Sequence, residues 1–272
     1  MTTRTDSASA DPTTDAAAAA EATPTTPPLD IHGDRIPFAR LVDVELRKMV
    51  DTRAGLWMLV VMAAISVLVC AVLVIWGTPA DQTFATYLGM IFIPLTVLLP
   101  VLGIMSATQE WSHRTGLATF TLVPRRGRVL SAKAVAALAL TLGLLLVAAA
   151  ASAVATAISG GTFSLTGLSL VGVVITALLL TLQGVAFGAA LLNTPLAIVA
   201  ILVLPTVWMV LTSSISWMSD AARWLDLTVV TAPLTEGTMT AQAWGQLATS
   251  SALWVLLPLA IGTRRVLTRE IS

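Results

Sequence analysis

The chain has 272 residues, of which 56% are hydrophobic and only 11% are charged, and its mean hydropathy is +0.88. A soluble core of this size cannot hide so much apolar surface, so the composition excludes an ordinary soluble domain and favours a chain dissolved in lipid. The formal net charge is zero, and the single cysteine, Cys70, excludes an intramolecular disulfide and a thiolate metal site.

Two segments precede the first long apolar run. Residues 1–34 are rich in Ala, Thr, Pro and Asp and contain almost no large apolar side chains, which predicts a disordered cytoplasmic tail. Residues 36–55 (IPFARLVDVELRKMVDTRAG) instead fit an amphipathic helix lying in the membrane interface, with Asp43 and Arg47 paired on its polar face. The apolar stripe of this helix comprises Phe38, Val42, Leu46, Met49 and Val50.

Six apolar runs are each long enough to cross a hydrocarbon core, which needs about 20 helical residues. None contains Asp, Glu, Lys, Arg or His, and Gln183 is the most polar side chain that lies well inside a run. Gly184 and Gly188 form a GxxxG step that favours close helix packing, and prolines inside the runs can bend them. The runs cover residues about 55–76, 85–107, 134–158, 167–192, 195–212 and 245–262, and the prolines are Pro94, Pro100, Pro205 and Pro258.

The basic residues near these runs predict the orientation. Thirteen of them fall on one side of an even number of spans, whereas the opposite connections, residues 77–84, 159–166 and 213–244, contain only Arg223. Because cytoplasmic loops carry the excess of Lys and Arg, both termini are predicted to be cytoplasmic. Within 213–244, the shared face of Trp217, Ala221, Trp224 and Leu225 predicts a short helix at the outer interface, either an anchored connection or a cap on an exit path.

Several kinds of chemistry lack the residues they need. The chain has no GxxxxGK[ST] phosphate loop, so we do not expect it to hydrolyse ATP, and its two histidines, His32 and His113, stand too far apart for a triad or a zinc site. The uncharged spans also disfavour an internal proton or ion relay, which needs ionisable groups at membrane depth. If the protein moves a solute, we expect the energy to come from outside the chain.

Charge is concentrated between the second and third runs, in QEWSHRTGLATFTLVPRRGRVLSAK (109–133). Glu110 to Val123 continue the helical phase of the second run, Pro124 ends it, Gly127 allows a reversal and Lys133 marks the start of the third span. The pattern predicts a compact basic hairpin attached to two membrane helices, which suits a site where a cytoplasmic motor delivers force.

These segments resemble the permease subunits of ABC-2 type ABC transporters, in particular actinobacterial ones. The resemblance lies in ELRKMVDTRAG (45–55), EWSHRT…TLVPRRGRVLSAK (110–133), GVAFGAALLNTPLAIV (184–199) and LWVLLPLAIGTRRVLTREI (253–271). It covers nearly everything from residue 40 onward, in the order and spacing of the family. Family members usually carry Arg after the aromatic residue of the loop and Gly before its Thr, where this chain has Ser112 and Arg114.

The resemblance implies an all-α ABC-2 permease fold with six spans, paired as a homodimer or heterodimer above two separate ATP-binding subunits that use ATP and Mg²⁺. It implies no catalytic residue, bound cofactor or metal in this chain. The implied contacts with the ATPase are a coupling loop with Glu110, Trp111, Arg114, Thr115, Pro124, Arg126 and Lys133, and the interfacial helix with Glu45, Lys48 and Arg53.

We therefore expect a multi-pass subunit of the bacterial plasma membrane that exports a lipophilic or amphipathic substrate, such as a lipid, a peptide or a drug-like molecule. The second and fifth helices are the candidates to line its path, and no nucleic-acid partner is expected. The alternative is a polytopic membrane protein that transports nothing, such as an immunity, sensor or assembly factor.

Overall fold

The computed structural model describes residues 2–3, 36–112 and 126–268. The chain divides into two units, Met1–Ile36 and Pro37–Ser272, and the account below concerns the second. Most of the predicted tail lies outside the described residues, as do three predicted coupling residues, Arg114, Thr115 and Pro124.

The described part of the second unit is built from helices. Six of them are long and apolar enough to cross a membrane, so the predicted all-α architecture with six candidate spans is confirmed at this level for the described residues. The helices are α1 (Phe38–Asp51), α2 (Arg53–Trp76), α3 (Phe84–Ser112), α4 (Arg126–Ser159), α5 (Gly167–Leu191), α6 (Thr194–Ser214), α7 (Ser216–Leu225), α8 (Leu227–Glu236) and α9 (Ala241–Thr268); the candidate spans are α2 to α6 and α9.

Short polar side chains mark where these helices begin. The Thr52 hydroxyl accepts a hydrogen bond from the Gly55 N–H at the start of α2, and Asn193 Oδ1 accepts one from the Leu196 N–H at the start of α6. Thr166 and Thr240 cap α5 and α9 in the same way. Each cap satisfies an N–H group that has no partner inside its helix.

The helix before the first span is separate from it, as predicted, because Thr52 has an extended backbone between α1 and α2. Its buried face differs from the predicted apolar stripe. Leu41, Glu45 and Met49 are its buried residues, whereas Phe38 is exposed. The stripe was wrong in this respect because Glu45 has charged partners in the bundle, which let a carboxylate occupy the inward face.

The start of the third span differs from the prediction. Helix α3 continues past its apolar run to Ser112, as the predicted helical phase indicated, but α4 already begins at Arg126, so Gly127 and Lys133 lie inside a helix rather than at a reversal and a span boundary. The sequence pattern began the third span after its nearest charge, Lys133. Glu110 compensates that charge in the structure, so α4 extends beyond the apolar run.

Helices α3 and α5 form the centre of the bundle, where glycines allow the backbones to meet. A Cβ added at Gly184 of α5 would overlap the carbonyl of Pro100, and one at Gly103 of α3 would overlap the carbonyl of Thr181. A buried pair of hydroxyls, Thr141 and Thr181, joins α4 to α5 with an Oγ1–Oγ1 distance of 2.7 Å. Small residues and shared hydroxyls are the usual means of packing helices where lipid supplies no hydrophobic driving force.

The segment after α6 folds back against the bundle. Its helices α7 and α8 meet at Leu225–Leu227, where the Leu225 carbonyl accepts hydrogen bonds from Ser250 Oγ and Trp254 Nε1 of α9. The α7–α8 pair is therefore a hairpin that packs against α9, here called the α7–α8 hairpin. The predicted short helix exists as α7, and its place at the outer membrane interface stays a prediction.

The prolines leave most spans unbroken. Helices α3 and α6 are continuous through Pro94, Pro100 and Pro205, but in α9 a π-helical turn at Ala252–Leu256 stands directly before Pro258. Proline has no N–H for the preceding turn, and neighbouring helices and local widening accommodate the freed carbonyl groups.

Candidate functional site

One end of the bundle, here called the charged end, gathers α1, the last turns of α3, α5 and α9 and the first turns of α4. Arg126 Nη1 of α4 donates to the Val266 carbonyl of α9 at 3.2 Å, and Arg265 of α9 donates to the Ala190 carbonyl of α5. Both arginines therefore tie helix ends together. Cations at carbonyl-bearing helix C-termini also interact favourably with the helix dipole.

Four charged side chains meet at this end and form what we call the charge cluster: Glu45, Lys48, Glu110 and Lys133. Lys133 Nζ lies 2.6 Å from Glu45 Oε2 and 2.7 Å from Glu110 Oε1. Lys48 Nζ lies 2.6 Å from Glu45 Oε1 and 3.5 Å from Glu110 Oε1. The two ammonium groups and two carboxylates thus alternate in space, and their formal charges sum to zero.

The charge cluster is buried to a degree that is unusual for ionised groups. Glu45, Glu110 and Lys133 are each at most 5% exposed, and only Lys48 reaches solvent. Removing such groups from water costs on the order of several kcal/mol per ion. Only close pairing with opposite charges and hydrogen bonding can offset this cost. Every one of the three buried groups has an opposite charge within 2.7 Å, which meets that requirement.

The electrostatic state of Lys48 reflects the same neighbours. Partial burial opposes its charged form, but hydrogen bonds and charge attraction from Glu45 and Glu110 outweigh that effect and raise its pKa. Lys48 is therefore an ammonium ion at neutral pH, and it supplies the second positive charge that the two carboxylates need.

Hydrogen bonds from side chains to backbone carbonyls reinforce the contacts among the same three helices. Gln109 Nε2 of α3 donates to the Lys48 carbonyl of α1 at 3.2 Å, and Ser106 Oγ of α3 donates to the Lys133 carbonyl of α4 at 3.2 Å. The ends of α1, α3 and α4 are thus held at fixed spacing by both main-chain and side-chain contacts.

The structure brings together four of the predicted site residues, namely Glu45, Lys48, Glu110 and Lys133. The other predicted site residues that the structure describes have different surroundings. Trp111 is half-buried against the core, Arg126 bonds to α9, Arg53 is exposed at the start of α2, and Gly188 of α5 contacts α3. The residues predicted for the coupling loop, Glu110, Trp111, Arg126 and Lys133, lie in helices.

Sequence reasoning missed the pairing of α1 with both spans. A signal was present, because Glu45 lies between Leu41 and Met49 at spacings of four, on what becomes the buried face of α1. A carboxylate flanked by apolar residues on one helix face indicates a buried cationic partner. Ser106 and Gln109 gave no comparable signal, since short polar residues near a span end are common.

Two cavities lie along α3 and α6. The charged-end cavity has a volume of about 600 Å³ and is bounded by the α1–α2 junction at Thr52, by Met105 and Gln109 of α3, and by Thr194 and Ile198 of α6. The opposite-end cavity has a volume of about 410 Å³ and lies between the other halves of α3 and α6, with walls from α5, α8 and α9. Between the cavities, α3 and α6 pack together through Ile104, Ala197 and Ile201.

No family model, curated protein or solved structure matches this chain. Among residues 36–112 and 126–268, no group of three His, Cys, Asp or Glu side chains is placed to hold a metal ion. Inferences about function therefore depend on the charge cluster, the two cavities and the helices that connect them.

Proposed function

We propose that the chain is the membrane-spanning permease subunit of an ATP-driven ABC transporter, which moves a lipophilic or amphipathic substrate and is energised by a separate ATP-binding subunit. It pairs with a second permease subunit in the bacterial plasma membrane. The observation that carries the proposal is the charge cluster, which joins a helix outside the spans to two spans at one end of the bundle.

The energetic cost of the charge cluster supports a role beyond stability. Apolar residues of similar volume often stabilise a protein at least as well as a buried ion pair does. Ionisable groups near membrane depth are expensive, and they are usually retained for function. A rigid junction that transmits force from α1 to α3 and α4 gives Glu45, Glu110 and Lys133 such a function.

The geometry offers a route from this junction to the cavities. Helix α3 runs from Glu110 in the charge cluster past Met105 of the charged-end cavity to Val97 of the opposite-end cavity. When a nucleotide-driven partner pushes on α1 and on the segment between α3 and α4, α3 shifts against α6 and changes both cavities. The second and fifth spans, α3 and α6, are then the walls of the substrate path.

The first test is extraction of the tagged full-length chain from its native membrane in a mild detergent. We expect an ATP-binding subunit with a phosphate-binding Walker motif to co-purify, and we expect the reconstituted complex to hydrolyse ATP. If the chain purifies without any ATPase under conditions that retain other membrane complexes, the proposal is wrong.

The second test separates coupling from folding in that complex. The charge-balanced variant Glu110→Gln/Lys133→Met removes one partner of each sign, so Glu45 and Lys48 remain paired. We expect it to lower the substrate-stimulated ATPase rate by about 5- to 150-fold, which is the effect that typical coupling free energies correspond to. The control is Asp43→Asn, which breaks an exposed pair with Arg47 on the same helix and should leave the rate unchanged.

A further inference from the structure

The opposite-end cavity differs in chemistry from the rest of the bundle interior. Apolar side chains such as Phe92 and Leu180 form much of its wall, but Thr176, Gln183 and Trp208 also line it. A volume of about 410 Å³ lies within the range of about 300 to 1,000 Å³ that is usual for small-molecule sites. Such sites combine apolar walls with a few polar groups that orient the ligand.

Two polar atoms in this cavity have no hydrogen-bond partner within the described part of the chain. They are Thr176 Oγ1 of α5 and Trp208 Nε1 of α6, and both atoms are buried. An unpaired buried polar group costs about 1 to 3 kcal/mol. A ligand that accepts a hydrogen bond from the Trp208 N–H would relieve this cost on one side of the cavity.

Thr176 is exceptional among the buried threonines of the spans. Thr108, Thr141 and Thr181 each donate to the carbonyl four residues earlier in their own helix, as threonines in membrane helices commonly do. Thr176, which is 3% exposed, makes no such bond. Its hydroxyl is therefore available to a molecule in the cavity.

Several other polar groups around the cavity already have hydrogen bonds within the chain. The Trp254 N–H donates to the Leu225 carbonyl at 2.6 Å, and the Thr231 hydroxyl donates to the Leu227 carbonyl at 2.8 Å. Asp226 Oδ1 accepts from the Thr228 and Val229 N–H groups at the start of α8. These bonds hold α8 and α9 as walls, and Thr176 and Trp208, with the amide of Gln183, are among the lining groups left to contact a ligand.

The charge of the lining restricts the ligand class. Among the described lining residues there is no Lys, Arg or His, and Asp226 is the single acid. An anionic ligand would find no cation here and would be repelled by Asp226, so the cavity selects against phosphate or carboxylate groups. The free groups instead suit a neutral oxygen acceptor, such as a carbonyl or ether, on an apolar body.

We propose that the opposite-end cavity is a binding site for an uncharged, largely apolar molecule that carries a carbonyl or ether oxygen, which accepts a hydrogen bond from Trp208 Nε1 and contacts the Thr176 hydroxyl. That this molecule is the transported cargo rests on the proposed function. The binding site itself does not, because it is built entirely from residues of one chain.

The test uses the purified full-length chain in lipid nanodiscs, without any ATPase, and benzophenone as the probe. Benzophenone is neutral and apolar, has one carbonyl acceptor, and forms covalent adducts with neighbouring C–H bonds on illumination. We expect mass spectrometry to find adducts concentrated on α3 residues 92–100 and α8 residues 227–235. The anionic relative 4-benzoylbenzoate should label these peptides at least about fivefold less, because its carboxylate finds no cation in the lining and is repelled by Asp226.

Two variants test the hydrogen bonds. Trp208→Phe retains the ring and removes the N–H, and it should lower benzophenone adducts on α3 and α8 by about fivefold. Thr176→Val should also lower the number of benzophenone adducts on α3 and α8. Because each change removes an unpaired buried group, neither should lower the thermal stability of the empty protein. The matched control is Trp57→Phe in α2, where the side chain is 67% exposed and outside the cavity.

Competition then identifies the source of the ligand. One competitor, dioctanoylglycerol, is a neutral lipid, and the other, camphor, is a compact neutral ketone. Reduced benzophenone labelling with either competitor supports the site. Which of the two reduces the labelling distinguishes a lipid from a non-lipid occupant. The inference is overturned if adducts spread evenly over exposed residues of the spans, or if Trp208→Phe and 4-benzoylbenzoate leave the labelling of α3 and α8 unchanged. Cavity labelling without a co-purifying ATPase would refute the transporter proposal alone.

Discussion

At the scale of single residues, the charge cluster behaves as one unit rather than as four separate contacts. Lys133 contacts both Glu45 and Glu110 within 2.7 Å, so loss of either carboxylate leaves a buried ammonium short of negative charge. The penalty for an uncompensated buried charge exceeds the value of the pair that was lost. Single and paired substitutions should therefore have very different consequences.

The first prediction concerns stability. Glu110→Gln should lower the free energy of unfolding by about 3 to 5 kcal/mol, because it breaks a buried network and leaves excess positive charge. Glu110→Gln/Lys133→Met should be less destabilising than this single variant. Thermal unfolding in detergent measures both. If the double variant unfolds at a lower temperature than the single variant, the pairing is not what stabilises this end.

The second prediction concerns pH. The folded-state pKa of Lys48 is raised above its ordinary value of 10.5, so the stabilisation that it provides is fully present below pH 10.5 and is lost as the pH rises through the folded pKa. The stability difference between the wild type and Lys48→Met should stay constant at lower pH and then shrink in this alkaline range. Denaturant unfolding of both proteins measures the difference, and a difference that grows with alkalinity would contradict the pairing.

At the scale of elements, α3 connects the parts of the molecule that matter for the proposal. It carries Glu110 of the charge cluster, borders both cavities, and contacts α5 at points where a side chain would not fit. Helices α3 and α5 approach so closely because Gly184 faces the Pro100 carbonyl. Pro100 at this contact and Gln183 beside it both line the opposite-end cavity.

The third prediction tests this contact. Gly184→Ala should destabilise the protein by about 1 to 3 kcal/mol, because the added methyl overlaps backbone atoms that cannot rotate away. Gly143→Ala is the matched control, since nothing lies within 4 Å of an added Cβ there. It should be neutral or stabilising by up to about 1 kcal/mol from helix propensity. Equal unfolding temperatures for the two variants would refute the close approach.

The α7–α8 hairpin shows how a polar backbone is accommodated against an apolar bundle. A break between two helices leaves carbonyl and N–H groups that have no partner within either helix. Here Ser250 and Trp254 bond to the Leu225 carbonyl, and Asp226 caps the first N–H groups of α8. The hairpin is therefore stable where it forms a wall of the opposite-end cavity.

At the scale of the whole molecule, the two ends differ in charge. The described basic residues lie with α1, the starts of α2 and α4 and the end of α9, apart from Arg223 of α7, and the connections between α2 and α3 and between α4 and α5 have none. An even number of spans places both ends of the spanning part on one side. The positive-inside tendency then predicts that the charged end faces the cytoplasm.

The fourth prediction tests that orientation. Two single-cysteine variants are made in a Cys70→Ser background. Ser164→Cys places the cysteine on the exposed connection before α5, and Ser131→Cys places it on the exposed surface of α4 at the charged end. A membrane-impermeant maleimide added to intact cells should label Ser164→Cys and should label Ser131→Cys only after lysis. The reverse pattern would invert the topology and place the charge cluster outside the cell.

The candidate site could be predicted only in part from the sequence. The concentration of charge at 109–133 and in α1 directed attention to Glu45, Lys48, Glu110 and Lys133, but as residues facing a partner. Their burial was not predicted, because helix periodicity shows which residues share a face and not which face of another helix meets it. Nothing in the local sequence around Thr176 or Trp208 distinguished them from other polar residues of membrane helices.

The sequence by itself determined the number and approximate limits of the six apolar helices, because an uninterrupted apolar run of about 20 residues has few other stable solutions. It also determined the break at Thr52 and the helix starts at Thr166 and Asn193, since capping is a local interaction. Only the tertiary structure decided that Glu45 pairs with Lys133 and that the α7–α8 hairpin packs against α9. Those features depend on contacts between segments 25 or more residues apart, which local pattern does not encode.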